Sequence, residues 1–263
     1  MKRRAKLEWM AIYIAAALLV LAMGGLFQKT VVVNAEESEP YPNLYAPVYD
    51  GDVSAPEGVI YLTFDDGPSK NTEKLLDVLW EENVKATFFV TAQEEDTEYL
   101  DKLLRRIVDE GHELALHSYT HTFHKIYKSA DAYIADINKL NDHILEATGY
   151  RPSIIRFPGG SRTSNCPKEI MNGIIKETER RGYVFFDWDV VSGDDTSTVF
   201  PAEQLANTMV KGCTYPKSTV ILAHDSSAPK TTPEAIRITI EALREQGYTF
   251  SVLSPGVKPV HIH

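Results

Sequence analysis

The sequence predicts an α/β fold, a single distorted (β/α) barrel of seven strands, preceded by an N-terminal membrane or signal helix and a linker. Three observations carry that prediction. From Val59 onward, short apolar runs rich in β-branched and aromatic residues alternate with amphipathic stretches, the pattern of a parallel sheet covered by helices. Gly111, Gly182 and Gly247 each stand between a helical stretch and the next strand, where a helix can be closed. The polar residues that interrupt the strand runs all fall at C-terminal ends: Asp65 and Asp66, His117, Arg156, Asp187 and His224. Alternation alone suits an open doubly wound sheet equally well. Polar residues spread over several strand ends favour the barrel, because barrel sites gather on that rim, whereas an open sheet concentrates its site at one switch point.

Taken in order, Val59–Phe64 (VIYLTF) opens the barrel, and Leu75, Leu76 and Leu79 then share one helical face. Ala86–Val90 (ATFFV) is the next strand, followed by the stripe Leu100, Leu103, Leu104, Ile107 and Val108. Glu113–Leu116 precedes the longest helical stripe, Tyr133, Ile134, Ile137, Leu140, Ile144 and Leu145, with Ser129 as its N-cap and Gly149 as its exit. Ile154–Phe157, the stripe Ile170, Met171, Ile174 and Ile175, and the strand Tyr183–Trp188 come next. Thr219–Ala223, the stripe Ile236, Ile240 and Leu243, and Thr249–Leu253 complete the body. The domain boundaries implied are 1–35 for a signal peptide or anchor, 36–56 for an extended linker, 57–256 for the barrel and 257–263 for a tail.

Composition is that of a folded protein, 43% hydrophobic and 24% charged over 263 residues, with a formal charge of −10. The first 35 residues hold five of the basic residues and a single acid, leaving 22 basic against 36 acidic residues in the remainder. A body that acidic repels a phosphate backbone, so nucleic acid is not an expected partner. Met10–Phe27 carries no charge and comes after Lys2, Arg3, Arg4 and Lys6. Its 18 residues reach the threshold for spanning a bilayer, and the preceding cations favour export of the chain beyond the span. Val33-Asn34-Ala35 resembles a cleavage site but lies beyond the apolar run, so a cut signal and a retained anchor both stand. Either one places the body outside the cytoplasm. Residues 36–56, with four prolines and no hydrophobic period, read as a linker. Cys166 and Cys213 permit one disulfide in an exported chain; two unpaired buried thiols are the alternative.

The rim motifs hold the chemistry. Asp65-Asp66-Gly67-Pro68 puts two carboxylates side by side at a strand end. Neighbours on a regular strand face opposite ways, so the turn must re-aim one of them if both serve one site. His117 and His121 stand at i and i+4, which suits a metal; two imidazoles and a carboxylate leave an open coordination position, the mark of a catalytic site. Arg156-Phe157-Pro158-Gly159-Gly160 places a guanidinium beside bare backbone, and an arginine neighbour keeps an aspartate ionised. Phe186-Asp187-Trp188 and Leu222-Ala223-His224-Asp225 complete the set.

These motifs in this order (TFDDGP, HSYTH, RFPGG, FDW and ILAHD) resemble the polysaccharide deacetylases, the NodB-homology domain of family 4 carbohydrate esterases, over Val59 to Leu253. The RFPGGS and FDWDVVSGD stretches look most like the membrane-attached Gram-positive enzymes that act on peptidoglycan. The resemblance implies a metal-dependent N-deacetylase in which Asp66, His117 and His121 bind one divalent ion, zinc above all, with cobalt, nickel or manganese as alternatives. It makes Asp65 the general base with Arg156 as charge partner, and His224 the general acid paired with Asp187. Gly159 would supply an oxyanion donor, and Trp188 and Leu222 would shape the slot for the acetyl methyl. Two departures stand out: Gly159 occupies a position where many relatives carry a bulkier residue, often tyrosine, and Asp189 offers a second acid for His224. The expected substrate is the N-acetylglucosamine of cell-wall peptidoglycan, reached outside the membrane. The alternatives are chitooligosaccharide, poly-N-acetylglucosamine or acetylated xylan, and, from another class, an inactive glycan-binding module.

Overall fold

Strands buried on both faces lose the apolar–polar alternation of a half-exposed sheet. In the computed structural model, which describes residues 39–196, 198–228 and 230–262, β1 (Val59–Asp65) and β2 (Thr87–Thr91) are of this kind, with one partly exposed residue, Val59, between them. The remaining strands are β3 (Glu113–Ser118), β4 (Ile154–Ile155), β5 (Val184–Phe185), β6 (Val190–Val191), β7 (Thr219–His224) and β8 (Thr249–Phe250). Seven of them run parallel in the order β5-β4-β3-β2-β1-β7-β6, and β8 pairs in parallel with the start of β1 at Val59 and Ile60.

The sheet is curled. Its outer strands β5 and β6 are separated in sequence by residues 186–189 alone, so Phe185 and Val190 lie no more than about 18 Å apart. Seven strands laid flat at about 4.8 Å spacing would hold their edges about 29 Å apart. Among the described residues no ladder joins β5 to β6, so the barrel closes incompletely. The C-terminal segment crosses the gap, with the Asp187 N–H donating to the Val260 carbonyl at 2.8 Å. The predicted strand Tyr183–Trp188 is therefore shortened to Val184–Phe185, which pairs with β4, and the chain then crosses to the opposite edge to form β6, which the sequence reading missed.

Among the described residues seven helices pack around the sheet: α1 (Lys70–Glu81), α2 (Thr97–Asp109), α3 (Phe123–Ile126), α4 (Ala130–Thr148), α5 (Lys168–Arg180), α6 (Ala202–Gly212) and α7 (Thr232–Glu245). α4 begins and ends as expected, with the Ser129 hydroxyl accepting from the Ala132 N–H and Gly149 in the left-handed conformation at φ 71°. Strand alternation divides the core in two. Ile60, Leu62 and Phe64 of β1, Leu114 and Leu116 of β3, and Ile221 and Ala223 of β7 face the helices. Tyr61, Phe89, Ala115, Ile154, Phe186, Val220 and Leu253 fill the interior. Counting in twos from Tyr61, Ala115, Ile154 and Val220 carries Asp65, His117, Arg156 and His224 to the interior side at the strand ends.

Part of the expected linker is docked rather than free. Leu44 is fully buried, and the Arg181 guanidinium donates to the carbonyls of Tyr41 (3.1 Å) and Leu44 (3.0 Å). Residues 1–35, with the expected signal or anchor, lie outside the described residues; among those described, no helix is long and apolar enough to cross a membrane. The permitted disulfide is absent: Cys166 and Cys213 are buried, separate thiols, and burial pushes Cys213 up to about 11. Denatured without reductant, the protein is expected to yield two reactive thiols per chain in a thiol-reagent titration, and its melting temperature should not move on adding reductant. A count of zero would show a disulfide and contradict this assignment of two free thiols.

Candidate active site

The end of β1 solves the problem of two adjacent carboxylates. Asp65 faces inward by alternation, and Asp66 leaves the strand in the left-handed region at φ 74°, which turns its side chain towards the same cavity. Aspartate is among the few side chains that visit this region at modest cost. Asp225 holds the turn from β7, accepting from the Gly67 N–H at 2.9 Å while its own N–H donates to the Asp65 carbonyl at 3.1 Å. A Cβ on Gly67 would sit 2.1 Å from an Asp225 carboxylate oxygen, so glycine is required there.

His117, at the end of β3, is 1% exposed, and its Nδ1 lies 2.8 Å from the Arg156 carbonyl. A proton on Nδ1 is the arrangement that satisfies this contact, and it leaves the Nε2 lone pair free. His121 stands at φ 48°, and its ring stacks on His117 at 5.2 Å. Asp66 Oδ1 is 3.3 Å from His117 Nε2 and 3.0 Å from His121 Nε2. Burial works to raise the Asp66 carboxyl, but the two imidazoles outweigh it and hold the group well below its ordinary range. The donor atoms of Asp66, His117 and His121 lie within 4.8 Å of one another. Asp66 Oδ1 is buried yet makes no well-formed hydrogen bond. A buried acceptor without a partner is costly, and one carboxylate with two imidazole lone pairs is a donor set that fits a divalent cation with positions to spare.

Beside this trio, Asp65 is 3% exposed and paired with the fully buried Arg156, Nη1 to Oδ1 at 2.8 Å. Arg156 spends its other donors on Thr63 Oγ1 (2.8 Å) and the carbonyls of Phe186 (3.0 Å) and Asp187 (2.9 Å). Asp65 Oδ2 is 3.8 Å from His117 Nε2, on the side of the trio.

His224, at the end of β7, is the register partner of Asp65 on the adjacent strand and lines the same cavity. Its Nδ1 is 2.8 Å from Asp194 Oδ1, and Asp194 also accepts from the Ser192 hydroxyl (2.6 Å), the His224 N–H (2.9 Å) and the Thr232 hydroxyl (2.7 Å). Burial works against the charged imidazole, but Asp194 prevails and raises His224 to about 9. This corrects the expected pairing with Asp187. The Asp187 carboxylate is turned away, accepting from the Ser161 N–H (2.9 Å), the Ser161 hydroxyl (2.6 Å) and the Ile262 N–H (3.0 Å). Asp189, the other candidate, accepts from the Val220 N–H at 2.9 Å and pairs with Lys217 at 2.8 Å. Asp194 was missed because β6 was not recognised as a strand; the signal was the acid just past Ser192-Gly193, on the loop that leaves it.

Asp65, Asp66, His117, His121 and His224 line a cavity of about 310 Å³ with Gly159, Trp188 and Leu222. Three larger cavities, two of about 520 Å³ and one of about 490 Å³, are lined by none of Asp65, Asp66, His117, His121 and His224. Gly159 is left-handed at φ 76°, and a Cβ on it would meet Thr163 Oγ1 at 2.7 Å, so a bulky residue could not enter this loop unchanged. The other described histidines serve elsewhere: His112 Nδ1 accepts from the Ala86 N–H, His124 is exposed on α3, His143 pairs with Asp101, and His261 stacks on Phe185 at 4.0 Å.

Comparison with known proteins agrees with this geometry. A family profile for polysaccharide deacetylase matches residues 52–172. A peptidoglycan-N-acetylglucosamine deacetylase of Bacillus cereus is 32% identical over 196 residues, covering 73% of this chain and 68% of that protein. The crystal structure of the catalytic domain of a peptidoglycan N-acetylglucosamine deacetylase from Eubacterium rectale superposes with a TM-score of 0.75 at 36% identity, covering 81% of this chain and 96% of the other. A family 4 acetyl xylan esterase from Clostridium thermocellum, solved in complex with a cobalt ion, superposes with a TM-score of 0.61 at 32% identity, covering 74% and 87%. On these matches, the chain belongs to the polysaccharide deacetylase family.

Proposed function

We propose that this chain hydrolyses the N-acetyl group of N-acetylglucosamine residues in cell-wall peptidoglycan, with one divalent ion, zinc, held by Asp66, His117 and His121. The observation that supports it most is the placement of two charge pairs, Asp65–Arg156 and Asp194–His224, on neighbouring strand ends beside those three donors. A bound cation would supply Lewis acidity, polarising the acetamide carbonyl and acidifying a water. Asp65, aimed by its ion pair with Arg156, takes the proton of the attacking water. The Gly159 N–H is the donor for the carbonyl oxygen as it gains charge. His224 donates a proton from Nε2 to the departing nitrogen, because Nδ1 is committed to Asp194. Trp188 and Leu222 wall the slot for the methyl group.

A charged acid matters most for an amide, whose nitrogen leaves poorly unless protonated; an ester oxygen needs it less. The elevated His224 therefore favours N-acetyl over O-acetyl substrates. The positively charged N-terminus and the apolar run Met10–Phe27 support action outside the cytoplasm, secreted or held at the membrane and facing the wall.

Acetate release from intact peptidoglycan, chitopentaose and acetylxylan, with and without chelator, tests the proposal. Chelator-sensitive release from peptidoglycan is expected; release from acetylxylan alone would overturn it. Asp65→Asn should lower kcat by about 10²–10⁴-fold while zinc stays bound, whereas His121→Ala should lose both. Activity should fall as pH rises through about 9, where His224 loses its proton. Asp194→Asn removes the group that raises His224, so that alkaline limb should move down by at least about one pH unit towards the ordinary histidine value near 6.5. A limb that stays in place would contradict the assignment of His224 as acid.

A further inference from the structure

The two imidazoles of the trio differ in how they are held. His117 belongs to β3, but His121 lies past the strand on a turn, in a left-handed conformation at φ 48° that is uncommon for residues other than glycine. Something must fix that turn if the His121 Nε2 is to stay 3.0 Å from Asp66 Oδ1. The geometry points to Asp136, on α4, as a positioning residue for the metal centre, acting on His121 through Ser118. Its role here rests on the reading of Asp66, His117 and His121 as metal ligands.

Asp136 is 7% exposed, and both of its oxygens are occupied by the turn between the two histidines. Oδ2 accepts from the Ser118 hydroxyl at 2.6 Å and the Tyr119 N–H at 2.7 Å. Oδ1 accepts from the Thr120 hydroxyl at 2.8 Å and the Thr120 N–H at 3.1 Å. Because the Ser118 hydroxyl donates to Asp136, its lone pair is aimed back at the turn, where it accepts from the His121 N–H at 2.9 Å. The brace thus runs from a long, well-packed helix to the backbone of His121. One turn earlier on the same helix, the Tyr133 hydroxyl donates to the His117 carbonyl at 3.3 Å, so α4 supports both imidazoles. Only a carboxylate satisfies four donors with two oxygens; an asparagine must turn an NH2 towards two of them.

The test is zinc affinity, measured without glycan by competition with a chromophoric chelator. Groups that orient metal ligands from behind typically change affinity by 10–100-fold when altered. Asp136→Asn is expected to weaken zinc binding by at least about tenfold, and Asp136→Glu to recover part of the loss. Ser118→Ala cuts only the link to His121 and keeps the rest of the brace, so it serves if Asp136→Asn folds poorly. It too should weaken zinc binding, and the double variant should bind no worse than Asp136→Asn alone. If either single variant, folded by near-ultraviolet circular dichroism, bound zinc as tightly as the wild type, Asp136 would be a structural residue only. If the wild type itself bound no zinc, the metal reading would fall, a result distinct from failure of the brace.

Discussion

Arg156 is the group on which the interior of this barrel depends. It is fully buried, and a buried guanidinium is tolerable only where its charge is matched and its donors are met. Asp65 supplies the charge from β1. The Thr63 hydroxyl and the carbonyls of Phe186 and Asp187 take the remaining donors used, and its own carbonyl receives His117. One side chain therefore joins the first strand, the crossover that closes the barrel and, through its backbone, the first imidazole of the trio. Removing Arg156 would leave the buried Asp65 without its ion-pair partner, a change that commonly costs about 3–5 kcal/mol. It would also free the chemistry-bearing carboxylate to turn away.

The other rim carboxylates show how position, more than residue type, decides a role. Asp66 faces two imidazoles and no well-formed donor, so it is suited to a cation. Asp194 accepts four hydrogen bonds and faces one imidazole, which it keeps charged. Asp187, a few residues earlier, accepts only from backbone and hydroxyl groups and pins the Ser161 loop to the C-terminal segment. Asp225, fully enclosed, is raised by burial to about 7 and shapes the Gly67 turn. The catalytic face and its scaffold are built from the same few side chains.

The legible part of the chain was its periodicity. Asp65, His117 and His224 end long buried strands, which declare themselves, Arg156 follows an apolar run that becomes only the two-residue β4, and Ser129 and Gly149 marked α4 because caps have a local cause. The two-residue strands β5 and β6 have no periodicity to display. The run Tyr183–Trp188 looked continuous, which hid the crossover and with it Asp194. Residues 41–56 looked like a linker because docking there works through backbone carbonyls and one buried leucine, features without a sequence signature. The brace from Asp136 was invisible for a similar reason: it joins a helix face to a turn 16 residues earlier through groups common on any surface.

X-ray absorption at the zinc edge of the loaded protein tests the central claim most directly. A shell of two imidazole nitrogens with carboxylate and water oxygens, all at about 2.0–2.2 Å and without sulfur, is the predicted result. A sulfur shell near 2.3 Å, or a shell lacking imidazole, would contradict it.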